Sequence, residues 1–167
     1  MGENLTIAWW NTSMSPASRR DRMDEDQRKI ALLIIVKLID KYKLDILCLG
    51  EVSPNDIGLL EKILESQPYA IYNCTHTNGR IKHDLCIIYN KQKMCHIESI
   101  EITNSIPHMG FIRAGHKLHF YHSNSEQNLF IYVLHWPSHM HFGDPSKRYE
   151  LGRALHQSIE DCKKEQN

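Results

Sequence analysis

The chain has 167 residues, of which 41% are hydrophobic and 24% charged, values that fit one ordinary globular domain. Its 20 basic and 20 acidic residues cancel, which excludes a protein that attracts nucleic acid by overall charge, so any phosphate-binding surface has to be local. The five cysteines have no CxxC spacing, and Cys48 and Cys86 lie inside apolar runs, which predicts reduced, buried thiols. Since the first residues lack a signal-peptide pattern and no apolar run is long enough to span a membrane, we expect a cytoplasmic protein.

The first half of the sequence predicts a strand, a helix and a second strand. Residues Leu5–Trp10 are β-branched and aromatic, which favours a strand that ends before Asn11. Acidic residues open a helix over about Asp24–Tyr42. Its predicted core-facing stripe turns cationic near the end and consists of Ile30, Leu33, Ile34, Lys37, Leu38 and Lys41. The unbroken apolar run within Asp45–Gly50 predicts a strand buried on both faces.

The second half predicts one more short helix, a run of strands and a final helix. Ser53 and Pro54 form an N-cap and a first helical residue, and that helix runs to about Glu65. A strand begins at Tyr69, and further strands are expected at Leu85–Tyr89, Cys95–Ile102, His116–His122 and Leu129–Leu134. Apolar residues at helical spacing predict the last helix from Lys147 to about Lys164. The order of these elements predicts an α/β (α+β) fold in which helices cover one face of a single sheet. The other face of that sheet needs a further layer to cover it.

Polar side chains follow three of the predicted strands at the point where each strand ends. These residues are Asn11, Glu51 and His135, and sheets of this type place their sites at such edges. A carboxylate on a rigid strand end suits a cation, and an imidazole there suits acid–base work or a phosphoryl oxygen. Two simpler interpretations stay open: Glu51 as a solvated loop acid, and His135 as a hydrogen-bonded strand terminus. The spacing of His135, His139 and His141 also allows a zinc site, although neither an HExxH helix nor a cysteine pair accompanies it.

The order of these motifs resembles the endonuclease/exonuclease/phosphatase superfamily. The resemblance rests on Trp10-Asn11 after the first strand, Asp45-Ile-Leu-Cys-Leu-Gly-Glu51-Val, and His135-Trp-Pro-Ser138 with Lys147-Arg148 opening the next helix. It covers the chain from about residue 5 to residue 160. It implies a four-layer α/β sandwich and a metal-dependent attack of water on phosphorus.

The resemblance also implies roles for individual residues. Glu51 matches the glutamate that holds one Mg²⁺ (or Mn²⁺), and Asn11 matches the active-site asparagine of the first strand. His135 matches the histidine that contacts the phosphate, and Asp84 is the candidate for the acid that orients this histidine. The candidates for substrate binding are Arg19 and Arg20, which follow Asn11 closely, together with Ser138 and Arg148.

The sequence departs from the family pattern on its C-terminal side. The Gly-Asp-x-Asn strand and the C-terminal Asp-His pair of the family are absent, and Gly50 stands where the family has Gln. We therefore expect residues 1–167 to be a single, incomplete domain of this type, the N-terminal half to two-thirds of the sandwich. An inner sheet face left open would expose several hundred Å² of apolar surface, a cost on the order of 10 kcal/mol. A second chain or a missing C-terminal half is therefore expected to cover that face.

Two functions of different classes follow from these expectations. The first is a divalent-metal-dependent phosphodiester hydrolase, a nuclease or related phosphodiesterase or phosphatase, with nucleic acid as one candidate substrate. The second is a catalytically incomplete relative that serves as a binding or assembly subunit, or half of a split enzyme completed by another chain. A zinc-dependent hydrolase is a third reading, supported only by the histidine spacing.

Overall fold

The structure, a computed structural model, describes residues 4–16, 23–78, 81–106, 110–136 and 145–165. These residues form a mixed α/β fold, which confirms the predicted class. In chain order the elements are β1 (Ile7–Asn11), α1 (Glu25–Tyr42), β2 (Ile46–Gly50), α2 (Pro54–Leu64), β3 (Tyr69–Asn73), β4 (His76–Asn78), β5 (Ile81–His83), β6 (Cys86–Asn90), β7 (Met94–Ile106), β8 (Gly110–His122), β9 (Gln127–Val133) and α3 (Pro145–Glu165).

The chain divides into two compact units. The first comprises Met1–His96 with Phe120–Leu129, and the second comprises Ile97–His119 with Phe130–Asn167. The prediction of a single domain stays a prediction. No helix of the described residues is both long and apolar enough to cross a membrane.

A four-stranded sheet in the order β1-β2-β6-β3 organises the first unit. Strands β1 and β2 are parallel, and β6 runs antiparallel to both of its neighbours, β2 and β3. Buried Asp45 fastens the start of this sheet, because its carboxylate accepts a hydrogen bond from Thr6 N at 2.9 Å and pairs with Lys93 Nζ at 2.9 Å. The starts of β1 and β2 are thereby held in one register.

Helices α1 and α2 pack on one face of this sheet. Each begins with a capping box, Asp24 with Gln27 for α1 and Ser53 with Asp56 for α2, so that exposed N–H groups at both helix starts are satisfied. The core on this face includes Leu47 of β2 and its neighbours from both helices: Ala31, Leu32, Ile35, Ile39, Ile57, Leu60 and Leu64.

The prediction of which side of α1 faces the core is wrong, because a different stripe of residues is buried. Ile30 and Leu33 are each 57% exposed, and Ile34 is exposed as well, whereas Ala31, Leu32, Ile35 and Ile39 are buried. The helix is apolar on nearly all sides between Ile30 and Ile39, so periodicity leaves its orientation open. The adjoining sheet selects the face that becomes buried.

The sheet face opposite these helices is not open over β2 and β6, which corrects the expectation of an exposed inner face. Side chains alternate across a strand, so Ile46 and Ile87 point away from the helices, and both are fully buried. Met94 and Phe120 of the same unit are buried too, and the Phe120 ring lies 5.1 Å from that of Tyr89. Only the edge strand β1 keeps large apolar side chains exposed on this face: among the described residues of the sheet, they are Ile7 and Trp9, both 47% exposed.

The expectation of one sheet is also corrected, because β7, β8 and β9 form a three-stranded sheet of their own and β4 pairs with β5. Strand β6 already has hydrogen-bonded partners along both edges, so β7, although next in the chain, has no place beside it. In the second unit α3 packs on this sheet, burying Leu151 against Ile102, Ile112 and Ala114.

Candidate functional site

One end of the four-stranded sheet brings together three of the residues predicted to form a site. Asn11 is the last residue of β1 and is in register with Gly50, so it lies beside the residue that precedes Glu51. Asp84 precedes β6, and its carbonyl accepts a hydrogen bond from Val52 N at 3.1 Å. The end of β2 lies between the end of β1 and the start of β6, so Asn11, Glu51 and Asp84 lie at the same end of this sheet.

The backbone at Glu51 adopts a conformation that non-glycine residues seldom take. Its φ angle is +56°, and Ser13 across the sheet end has the same value. Such left-handed residues cost about 1–3 kcal/mol each and persist only where neighbouring groups hold them. At this sheet end, the Glu51 carbonyl accepts hydrogen bonds from Ser15 N at 2.6 Å and from Thr12 Oγ1 at 3.1 Å.

Thr12 is a site residue that the sequence analysis missed. It is buried, its hydroxyl shares its one proton between Gly50 O at 2.9 Å and Glu51 O at 3.1 Å, and the hydroxyl oxygen accepts from Met14 N at 3.2 Å. Thr12 therefore fixes the turn that presents Glu51. Its position directly after Asn11 was the available signal, but a threonine in a polar turn has no distinctive pattern.

The donor atoms at this edge are hard oxygen ligands. Side chains alternate along a strand, and Trp10 packs against the core on the helix side of β1. The side chain of Asn11 therefore lies on the opposite face, the face of Trp9. A carboxylate and an amide oxygen suit Mg²⁺, which is commonly bound through one or two carboxylates and keeps several waters. Thiols do not compete, because burial raises the pKa of Cys48 to about 12 and that of Cys86 well above its usual value. The residues present thus fit a hard divalent cation.

The remaining predicted site residues lie in the second unit or outside the described residues. His135 follows β9 and is partly buried, and Arg148 lies in the first turns of α3. Next to His135, Trp136 donates from Nε1 to Ala114 O at 2.7 Å, which anchors the chain after β9 to β8. The closeness of His135 to Glu51 stays a prediction. Arg19, Arg20 and Ser138 lie outside the described residues.

The zinc interpretation gains no support from the described part of the chain. Among those residues, no three or more His, Cys, Asp or Glu side chains form a group that could hold a metal ion. His139 and His141, which the zinc spacing requires, lie outside it. A magnesium ion needs fewer protein ligands than zinc, so this finding leaves Glu51 and Asn11 as candidates.

Sequence comparison and structure comparison give different results for this chain. No protein-family model matches the sequence, and no curated protein matches it. Solved structures do match. An endonuclease/exonuclease/phosphatase family protein from Bacteroides thetaiotaomicron superposes with a TM-score of 0.72 at 16% identity, over 95% of this chain and 58% of that one.

Two further matches carry names that describe a function or a bound product. A mannosyl-6-phosphatase from Bacteroides thetaiotaomicron has a TM-score of 0.72 and 16% identity, covering 95% of this chain and 60% of that chain. TDP2 from D. rerio, complexed with a single-strand DNA product, has a TM-score of 0.68 and 18% identity, covering 93% and 54%. The chain thus spans less than two thirds of the length of these proteins. Its residues form part of the fold of the endonuclease/exonuclease/phosphatase family.

Proposed function

We propose that the chain carries part of the active site of a divalent-metal-dependent phosphodiester hydrolase, a nuclease or a related phosphodiesterase or phosphatase. The observation that supports this most directly is the position of Glu51, turned out of a buried strand by a left-handed backbone and adjacent to the end of β1 at Asn11. The similarity to a phosphatase and to a protein bound to a DNA product supports the same class of chemistry.

In this proposal the residues of the first unit hold the metal. Glu51 is the carboxylate ligand and Asn11 lies beside it, while Thr12 and Ser15 keep the Glu51 peptide in place. Mg²⁺ or Mn²⁺ held there would stabilise negative charge on the phosphoryl oxygens and on the leaving group. The contribution of Thr12 and Ser15 is to fix the backbone from which the Glu51 side chain extends.

The phosphate contacts are assigned to residues of the second unit and of the loop after β1. His135 is proposed to donate a hydrogen bond to a phosphoryl oxygen. Ser138 and Arg148 are proposed to bind the same phosphate group. Arg19 and Arg20 would line the path of a longer phosphodiester, and such local contacts are needed because the chain has no net charge.

The second candidate function is a binding or assembly subunit without turnover, or half of a split enzyme. The chain aligns with 54–60% of the length of the solved structures described above, and this alternative assigns the remaining part of the fold to another segment or chain. Either form of the proposal places a further segment, from the same protein or a second chain, against the exposed edge strand β1.

Hydrolysis of a simple activated phosphodiester with Mg²⁺, with Mn²⁺ and with EDTA tests the enzyme proposal. Wild-type chain is compared with Glu51→Gln and with Glu61→Gln, which makes the same chemical change at an exposed site on α2. We expect metal-dependent turnover that falls by about 100-fold or more in Glu51→Gln and stays unchanged in Glu61→Gln.

Metal binding is measured separately from turnover. Mg²⁺ is expected to raise the melting temperature of the wild type and of Glu61→Gln, but not of Glu51→Gln, because a ligand stabilises only the protein that binds it. Turnover equal in wild type and Glu51→Gln would contradict the enzyme proposal. Metal-dependent stabilisation without turnover would favour the split-enzyme or subunit alternative.

A further inference from the structure

A cleft of about 300 Å³ lies between β7 and α3 in the second unit, and none of its lining residues has a role assigned above. Its lining residues are Thr103, Asn104, Arg153, Ala154 and Gln157. The volume is at the lower end of the range for small-molecule sites, which is about 300–1,000 Å³. The cleft therefore has room for a small ligand.

The packing of α3 explains why the cleft is there. Ile102 of β7 is buried in the cluster that α3 covers, together with Leu151, and Ala154 packs against the same cluster. Thr103 and Asn104 continue β7 immediately beyond Ile102 and form one wall. Ala154 has the shortest side chain of the lining residues, so the space above it stays open.

The lining of the cleft is rich in hydrogen-bond donors and contains no acid. It offers a guanidinium from Arg153, carboxamides from Asn104 and Gln157, and a hydroxyl from Thr103. Glu150, one turn earlier, pairs with Arg153 Nη2 at 2.9 Å and leaves other guanidinium N–H groups for a ligand, since the Arg153 side chain is 60% exposed. This composition suits an anion, above all a phosphate group.

An exposed aromatic ring lies on α3, the helix that forms one wall of the cleft, although it is not one of the lining residues. Tyr149 precedes Arg153 by four residues on α3, which places both on one face of the helix, and it is the most exposed large hydrophobic side chain of the described residues, at 70%. An aromatic surface next to a cation is the combination that binds a base and its phosphate, because the ring stacks on the base while the cation neutralises the phosphate.

We propose that this cleft is a nucleotide-binding site, which takes the phosphate of a nucleotide on Arg153 and the two carboxamides and stacks the base on Tyr149. The ligand class is a nucleoside monophosphate or one nucleotide unit of a single strand. The proposal does not require that the chain hydrolyse phosphodiesters, because none of its residues belongs to the candidate active site.

Titration of the full chain with adenosine 5′-monophosphate in metal-free buffer, followed by NMR, tests the proposal. The side-chain NH₂ signals of Asn104 and Gln157 report on the cleft itself. We expect both signals to shift with the nucleotide and, at higher concentration, with inorganic phosphate. Arg153→Gln should weaken nucleotide affinity about tenfold, the effect of one lost charge-assisted contact. Tyr149→Ala should weaken binding of the nucleotide but not of phosphate.

The matched control is Lys164→Gln, which removes another exposed cation from the same helix. Lys164 pairs with Asp161 three residues earlier, as Arg153 pairs with Glu150. Affinity unchanged in Lys164→Gln supports a specific site. Equal losses in the two variants would show only general electrostatic attraction, and shifts confined to residues near Glu51 would show that the nucleotide binds elsewhere; either result overturns the proposal. Adenosine binding as tightly as the monophosphate would exclude the phosphate contact.

Discussion

The backbone of Glu51 and its side-chain chemistry place opposite demands on this position. A left-handed φ of +56° favours glycine, whereas the proposed metal site requires a carboxylate there. Lys43, the C-cap of α1, has a similar φ of +49° and serves as a position where the conformation has a purely structural purpose. Glycine substitutions at Glu51 and at Lys43 therefore distinguish the backbone strain of a positive φ from the proposed role of Glu51 in metal binding.

Glu51→Gly is predicted to raise the free energy of unfolding by about 1 kcal/mol, because glycine adopts a positive φ without steric cost. The same variant is predicted to abolish stabilisation by Mg²⁺. Urea unfolding with and without Mg²⁺ measures both effects.

Lys43→Gly is the control for that experiment. It is expected to gain a similar amount of stability and to keep the full response to Mg²⁺, because Lys43 ends a helix and has no proposed role in the site. A Glu51→Gly protein that is less stable than the wild type, or one that still responds to Mg²⁺, would refute the assignment of Glu51 as a strained metal ligand.

At the scale of the elements, a buried carboxylate joins the two helices of the first unit. Asp56 is fully buried at the third position of α2, where it accepts hydrogen bonds from Ser53 N at 2.8 Å and Ser53 Oγ at 2.6 Å. It also pairs with Arg28 Nε of α1 at 3.3 Å. One side chain thus caps α2 and holds α1 next to it.

Asp56→Ala is predicted to lower the free energy of unfolding by about 3 kcal/mol, since it removes a cap and leaves Arg28 without its partner acid. Asp26→Ala, at an exposed acid in the first turn of α1, is expected to change stability by less than about 0.5 kcal/mol. Chemical denaturation of both variants provides the measurement. A loss in Asp56→Ala no larger than in Asp26→Ala would show that the contact contributes little.

The positions of most elements could be predicted from local sequence. Helix α1 has an acidic start with a cap at Asp24, and α2 starts at the predicted Ser53–Pro54 signal, so both agree with prediction to within one or two residues. The strands with unbroken or alternating apolar residues were found as well. The short strands β4 and β5 were not, because three residues are too few to show a period.

At the scale of the whole molecule, β1 is the edge of its sheet and carries exposed Ile7 and Trp9. Exposed apolar edge strands pair readily with other chains, and this edge bears none of the charges or prolines that usually prevent it. We propose that a C-terminal segment or a second chain covers β1, as stated above.

Ile7→Lys tests this proposal. The wild-type chain is predicted to associate at micromolar concentration when no partner is present, and the variant is predicted to sediment as a monomer because a charge on the edge opposes pairing. Leu59→Lys, at an exposed apolar position on α2, should still associate. A wild-type chain that sediments as a monomer under these conditions would show that the edge needs no cover.

The sequence by itself determined the α/β class, the limits of most helices and strands, and the placement of Asn11 and Glu51 at strand ends, because caps, turns and apolar periods act over a few residues. Only the tertiary structure decided that α1 buries Leu32 rather than Leu33, and that β7 starts a separate sheet. It also decided that Thr12 reaches the carbonyl of Glu51. These outcomes depend on contacts between residues far apart in the chain, and no local pattern encodes which partner is available.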